Sequence, residues 1–187
     1  MFEKHGKVDM LLLGVYTPIV MTEDSTVTKD DKSKAGNSST GLDLRTLAEC
    51  RECTCFNLRK ATRVVTQLFD DSMRSTGLRS TQFVLLVHTH AMGPITLSKL
   101  SEAMVTDRTT LARNIELLEK NGLIEARDGD DRRTRIVSIT EKGRKKLAEA
   151  FPCWRKTQDE VKKLMGQDAW AAMISQTSLL VNRIQER

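Results

Sequence analysis

The stretch VTDRTTLARNIELLEKNGLIEARDGDDRRTRIVSIT, residues 105–140, decides the fold. Its first half repeats apolar side chains at helical spacing, with Leu111, Ile115 and Leu118 on one stripe. Thr106 stands where an N-cap belongs, and Asn121-Gly122 is a helix stop. Beyond Gly122 the period changes. Ile124 lies on one side of a polar, charged middle, Ile136, Val137 and Ile139 lie on the other, and Asp128-Gly129 supplies turn chemistry between them. A helix followed by a hairpin is the expectation.

Upstream, Thr96 opens a short helix, LSKLSEAM, with Leu97, Leu100 and Met104 on one face. Gly93-Pro94 ends an earlier helix, TQFVLLVHTHA, for which Ser80 is the expected cap. Before it, Leu58, Thr62, Val65 and Phe69 recur at helical steps until Gly77. Downstream, Thr140 starts a further helix that Pro152 should interrupt or kink. A last helix, from about Gln167, sets Trp170, Met173, Ile174, Thr177, Leu180, Val181 and Ile184 along one broad apolar stripe. The fold class is therefore mainly α with a small β-hairpin wing: two helices across a tight turn, then a hairpin, form a winged helix-turn-helix. The spacing predicts an N-terminal extension over residues 1–45 and one domain over residues 46–187. Residues 22–45 are polar and without hydrophobic periodicity, as in disordered segments.

Composition bounds the function. With 4% aromatic and 29% charged residues, the chain suits a helical protein better than a sheet sandwich, and its net charge of +5 suits an anionic partner. Four cysteines without a secretion signal do not make a disulfide framework. Lys4 and Lys7 precede the apolar run VDMLLLGVYTPIVM, which is too short to span a bilayer and is followed by no cleavage site, so a cytoplasmic chain with no membrane partner is expected. A second reading starts translation at or near Met21. No phosphate loop, paired-carboxylate site or nucleophile elbow is visible, so neither an enzyme nor a cofactor is expected.

The charged side chains fall where such a fold would meet DNA. Arg108, Thr109, Thr110 and Arg113 occupy the first two turns after Thr106, opposite the Leu111/Ile115/Leu118 stripe. A recognition helix reads base edges from its N-terminal turns. Arginine donates bidentately to guanine, and threonine reaches a base edge, a phosphate or a thymine methyl. Arg127, Arg132, Arg133 and Arg135 crowd the hairpin, as suits a narrow minor groove. A solvated helix and hairpin would carry charges too; the order of the elements is what favours DNA.

The stretch from Asp107 to Leu147 resembles the MarR-type winged-helix regulators, a likeness extending over about residues 46–187. It rests on the Asp-x-Arg of the wing, Asp131-Arg132-Arg133, and on the Ile139-Thr140-x-x-Gly143 that follows. The resemblance implies that Arg133 enters the minor groove and that Asp131 braces a wing arginine. It further implies an obligate homodimer built from the first and last helices, a pseudo-palindromic double-stranded DNA operator, and a repressor released by a small aromatic or acidic effector. For that effector, Arg59, Arg63, His88 and Met92 are the candidate cleft residues, where a cation would meet a carboxylate.

CRECTCFNLRK, residues 50–60, holds three of the four cysteines. On a helix Cys50 and Cys53 lie about 60° apart and Cys53 and Cys55 about 200° apart, so the three cannot grip one metal ion unless the helix starts after them, and a fourth ligand at suitable spacing is missing as well. Cys55 lies on the stripe of Leu58 and Phe69, which fits a small buried hydrophobe. CFNLRKATR is also similar to the first helix of the family's peroxide-sensing branch, which would make Cys55 a redox sensor with Cys50 and Cys53 as resolving thiols. The tyrosines that activate the thiol there are replaced here by Arg59 and Phe69. A thiol oxidoreductase using Cys50 and Cys53, or a winged helix used for protein contacts, are further alternatives.

Overall fold

The computed structural model describes residues 47, 49–129 and 134–187. The apolar run near the start, the polar segment after it, and the wing-tip residues Asp131, Arg132 and Arg133 lie outside the described residues. Among the described residues the element order is α1 (Thr54–Met73), α2 (Ser80–Met92), β1 (Ile95–Thr96), α3 (Leu97–Ala103), α4 (Arg108–Lys120), β2 (Ile124–Asp128), β3 (Arg135–Ile139), α5 (Glu141–Met165) and α6 (Gln167–Gln185). The expected α-plus-wing class holds.

The wing hairpin pairs antiparallel, Ile124 opposite Ile139 and Asp128 opposite Arg135. β1 adds to the free edge of β3, Ile95 opposite Val137, giving the sheet order β1-β3-β2. That third strand was not expected from the sequence: it is two residues long, too short to show a period. The core is concentrated around this sheet. Met73, Leu86, Leu100, Ile115, Leu118 and Val137 are fully buried. Burying a side chain of this size stabilises by about 1.5–3 kcal/mol, so the α4 stripe firmly anchors that helix.

Several local expectations need correction. The α2 N-cap is Arg79, not Ser80; its backbone N–H donates to Gln82 Oε1 at 2.9 Å. Ser80 instead donates its backbone N–H to Asp70 Oδ1 at 2.6 Å, so a carboxylate from α1 serves the start of α2. The α4 cap is Asp107, not Thr106. α5 runs unbroken through Pro152. There Ala150 is buried and Trp154 stacks on both Phe83 and Phe151, and this packing outweighs the hydrogen bond that proline removes.

The ends of the chain differ from the core. α1 buries only Phe69 and Met73, near its C-terminus, and α6 buries nothing. Phe56, Leu58, Val64 and Val65 of α1 are exposed, as are Met173, Ile174, Leu179, Val181 and Ile184 of α6. Cys55, expected as a buried hydrophobe, is exposed, as are Cys50 and Cys53. The helix begins only after Cys53, whose ψ of 111° is extended. The Asn57 amide bonds the carbonyls of Arg51 and Cys53, which fixes this turn.

Candidate nucleic-acid interface

α4 is held at both ends. At its start the Asp107 carboxylate accepts the Thr110 backbone N–H at 2.8 Å. That bond, with a further one from the Thr110 hydroxyl, holds the Asp107 carboxyl below its ordinary value. At its end Gly122, at φ 69°, donates to the Glu119 carbonyl and Leu123 to the Leu118 carbonyl. Lys142 Nζ reaches the Asn121 carbonyl at 2.8 Å. Thr140 completes the exit: its hydroxyl donates to the Gly122 carbonyl at 2.7 Å and accepts the Gly143 N–H at 2.9 Å. One side chain thus closes the recognition helix and caps α5, which gives the Ile-Thr-x-x-Gly stretch a physical meaning.

With Leu111, Ile115 and Leu118 buried, the opposite face of α4 presents Thr109 and Arg113 to solvent, and Arg108 is exposed as the first residue of the helix. Thr110 is exposed as well, yet it borders an apolar cavity beside the helix. Arg127 is exposed on β2. Arg135 is committed differently: it pairs with Glu119 at 2.5 Å, tying the base of the wing to the last turn of α4. That pair joins residues sixteen apart and carries no sequence signal.

The four proposed cleft residues do not converge. Arg59 and Met92 are exposed, and the His88 ring bonds the Val84 carbonyl of its own helix. Arg63 borders a polar cavity of about 580 Å³ with Asp70, Asp71, Arg74 and Arg79. Burial raises the Asp70 pKa, but hydrogen bonds from Ser80 and Arg79 outweigh it and the net direction is down. The apolar cavity, about 460 Å³, lies elsewhere, between α1, α2, the α3–α4 turn and Trp154. It was not foreseen because its walls come from four separate stretches of chain.

A buried helix stripe with arginines on the opposite face, closed against a basic hairpin, defines a winged-helix protein of the DNA-reading class. The sequence model of the MarR family matches residues 78–134. The transcriptional regulator MosR of Mycobacterium tuberculosis, solved in complex with DNA, is similar with a TM-score of 0.66 and 33% identity, covering 72% of this chain and 98% of that one. The HTH-type transcriptional repressor NicR of Pseudomonas putida is 33% identical over 103 residues, 54% of this chain and 65% of its own length. An HTH-type transcriptional regulator of Bacillus subtilis, YwoH, is 26% identical over 104 residues, 56% of this chain and 76% of its own length. The chain belongs to the MarR family of transcriptional regulators.

Proposed function

We propose that the protein is a sequence-specific repressor that binds a pseudo-palindromic double-stranded DNA operator as a homodimer and is released by a small molecule. The observation that carries this is the α4 geometry: a buried stripe fixes the helix while Thr109 and Arg113 are exposed on its outer face and Arg108 is exposed at its first turn. Those residues read base edges, Arg132 and Arg133 of the wing enter the minor groove, and Asp131 braces the wing. Thr110 serves the helix cap and the adjoining cavity as much as the DNA. Arg135 positions the wing through Glu119. Two copies place two recognition helices in successive major grooves.

The homodimer is supported by the apolar side chains left exposed along α1 and α6, the first and last α-helices among the described residues. The regulator acts on DNA in the cytoplasm, without catalytic turnover; no helix among the described residues is long and apolar enough to cross a membrane.

Fluorescence-anisotropy titration of the purified protein onto its own upstream DNA and onto random DNA, at several salt concentrations, tests the reading. The expected result is a clear preference for the upstream site and an affinity that falls steeply and linearly on logarithmic salt axes, because phosphate contacts release counterions. Equal affinity for both DNAs would remove the sequence-specific role, and a flat salt dependence would remove DNA binding itself.

A further inference from the structure

The two helices of the DNA-reading unit meet at a strained joint. α3 ends in a cap of two backbone bonds: Val105 donates its N–H to the Glu102 carbonyl at 3.1 Å, and Thr106 donates to the Ser101 carbonyl at 3.0 Å. This cap requires a left-handed residue at the position of Val105, where glycine is the usual occupant. Val105 adopts that conformation, at φ 49°. The other residues with positive φ among those described are all glycines, Gly77, Gly93, Gly122 and Gly166. In the left-handed region a β-carbon crowds the following carbonyl oxygen, and a branched side chain adopts it only under constraint. Core packing does not demand valine here, since the side chain lies outside the protomer's buried core.

We infer that Val105 is a positioning residue for DNA reading: it keeps the α3–α4 joint weakly held, so that α4 changes its angle readily and releases a base-specific site. Only Val105 and Thr106 separate the C-cap of α3, Met104, from the N-cap of α4, Asp107. Their few dihedral angles set the angle at which Thr109 and Arg113 are presented. The steric cost of a left-handed valine is of the same order as the gain from the two cap bonds, which leaves the joint near balance between closed and open. The buried stripe of α4 keeps the helix on the core in either state. The closed joint is the reading state. Base recognition needs one angle, because the bidentate bonds of an arginine are directional, whereas phosphate contacts tolerate several. Relieving the strain therefore favours the operator and leaves random DNA alone. The DNA consequence rests on the repressor reading; the strained joint rests on the cap geometry.

Val105→Gly and Val105→Asn both accept the left-handed conformation, and Val105→Ile keeps the branch as a control. Amide hydrogen exchange of the full chain without DNA, corrected for each variant's intrinsic rates, reads the joint directly. Residues 104–108 should be protected at least about threefold more strongly in the Gly and Asn variants, by more than any change at β3, and as in the wild type in the Ile variant. Anisotropy titration is the second arm. The Gly and Asn variants should bind the upstream DNA at least about twofold more tightly, with random DNA unchanged, because more of the protein holds the reading angle. Unchanged or weaker protection in both variants would overturn the strained joint. Stronger protection with an unaltered ratio of operator to random binding would overturn the positioning role. A wild type without preference for the upstream DNA would count against the repressor reading and the positioning role with it, while the exchange still decides the joint.

Discussion

Gly143 should be irreplaceable even by alanine. A Cβ built there would lie 2.0 Å from the Leu123 carbonyl oxygen, 2.8 Å from Ile139 Cγ1 and 3.0 Å from the Leu123 carbonyl carbon. The first contact is with backbone, which cannot rotate aside. Relieving it requires α5 and the Leu123 strand entrance to part by roughly 1 Å, an overpacking cost of about 1–3 kcal/mol. The same movement strains the Thr140 N–H to Leu123 carbonyl bond, at 3.1 Å, and the Thr140 hydroxyl bond to Gly122. Each is worth about 0.5–1.5 kcal/mol. Against this stands the helix propensity of alanine over glycine, about 1 kcal/mol. The net expectation for Gly143→Ala is a loss of about 2–4 kcal/mol, or a fall in Tm of roughly 5–15 °C.

Urea and thermal unfolding by circular dichroism, at one protein concentration because a dimer's stability depends on it, would measure the loss. Thr140→Ala provides the comparison, since it removes the cap without the clash and should cost about 1 kcal/mol. A Gly143→Ala protein within 0.5 kcal/mol of wild type, or one more stable, would refute the close-approach argument.

Arg113→Ala should cost about 1–3 kcal/mol at the operator and little on random DNA, whereas Arg133→Ala should weaken both and flatten the salt slope; equal losses for both variants on both DNAs would erase the division of roles. A double-mutant cycle on Glu119 and Arg135, whose side chains are 34% and 39% exposed, should give a coupling of only about 0.2–1 kcal/mol; a zero coupling would remove the pair as a wing brace. Asp70 and Asp107 both have depressed pKa values in the folded chain, so the stability they add is complete above the ordinary aspartate value of about 3.9 and is lost as pH falls through the lower folded values. Asp70→Asn should accordingly flatten the acid limb of the stability curve, and an unchanged limb would count against its capping of α2. Leu179→Glu, on the exposed face of α6, should convert the dimer to monomers in sedimentation velocity while leaving helicity intact; a dimer that persists would place the interface elsewhere.

The helices were legible because their apolar stripes and stop signals agree, as at Leu111, Ile115, Leu118 and Asn121-Gly122. Their first residues were less so. Thr106 and Asp107 can both cap, as can Ser80 beside Arg79, and only the three-dimensional path of the chain decides between such neighbours. Pro152 illustrates a local rule overridden from outside: its ring opposes the helix, while the Phe83–Trp154–Phe151 stack holds the same turn in place. Contacts between distant positions left no trace in the sequence. The Asp70 bond to Ser80, the Glu119–Arg135 pair and the cavity walls belong to this group, and neither the apolar nor the polar cavity gathers the residues expected to meet an acidic ligand. Arg59, Arg63, His88 and Met92 were chosen by residue type, and their backbone positions send them to different surroundings.

The magnitudes around α4 restrict how a signal can reach DNA. The three buried residues of its stripe anchor it by roughly 5–9 kcal/mol on an area basis, an upper bound. Capping at Asp107 and closure by Lys142 and Thr140 add to that hold. A ligand's coupling energy is typically about 1–3 kcal/mol. Such a ligand cannot unfold the helix, but it can tilt or shift it as a rigid piece. The point of least resistance is the turn at Met104–Thr106, where Val105 already sits in an unfavourable conformation and the chain borders the cavity. Because α4 runs into β2 through Gly122 and Leu123, which Thr140 bonds on both sides, with Glu119 and Arg135 adding a weaker tie, a displacement of α4 carries the base of the wing with it. Helix and wing should therefore leave their grooves together, so a ligand that weakens contacts through Arg113 should weaken those through the wing arginines as well.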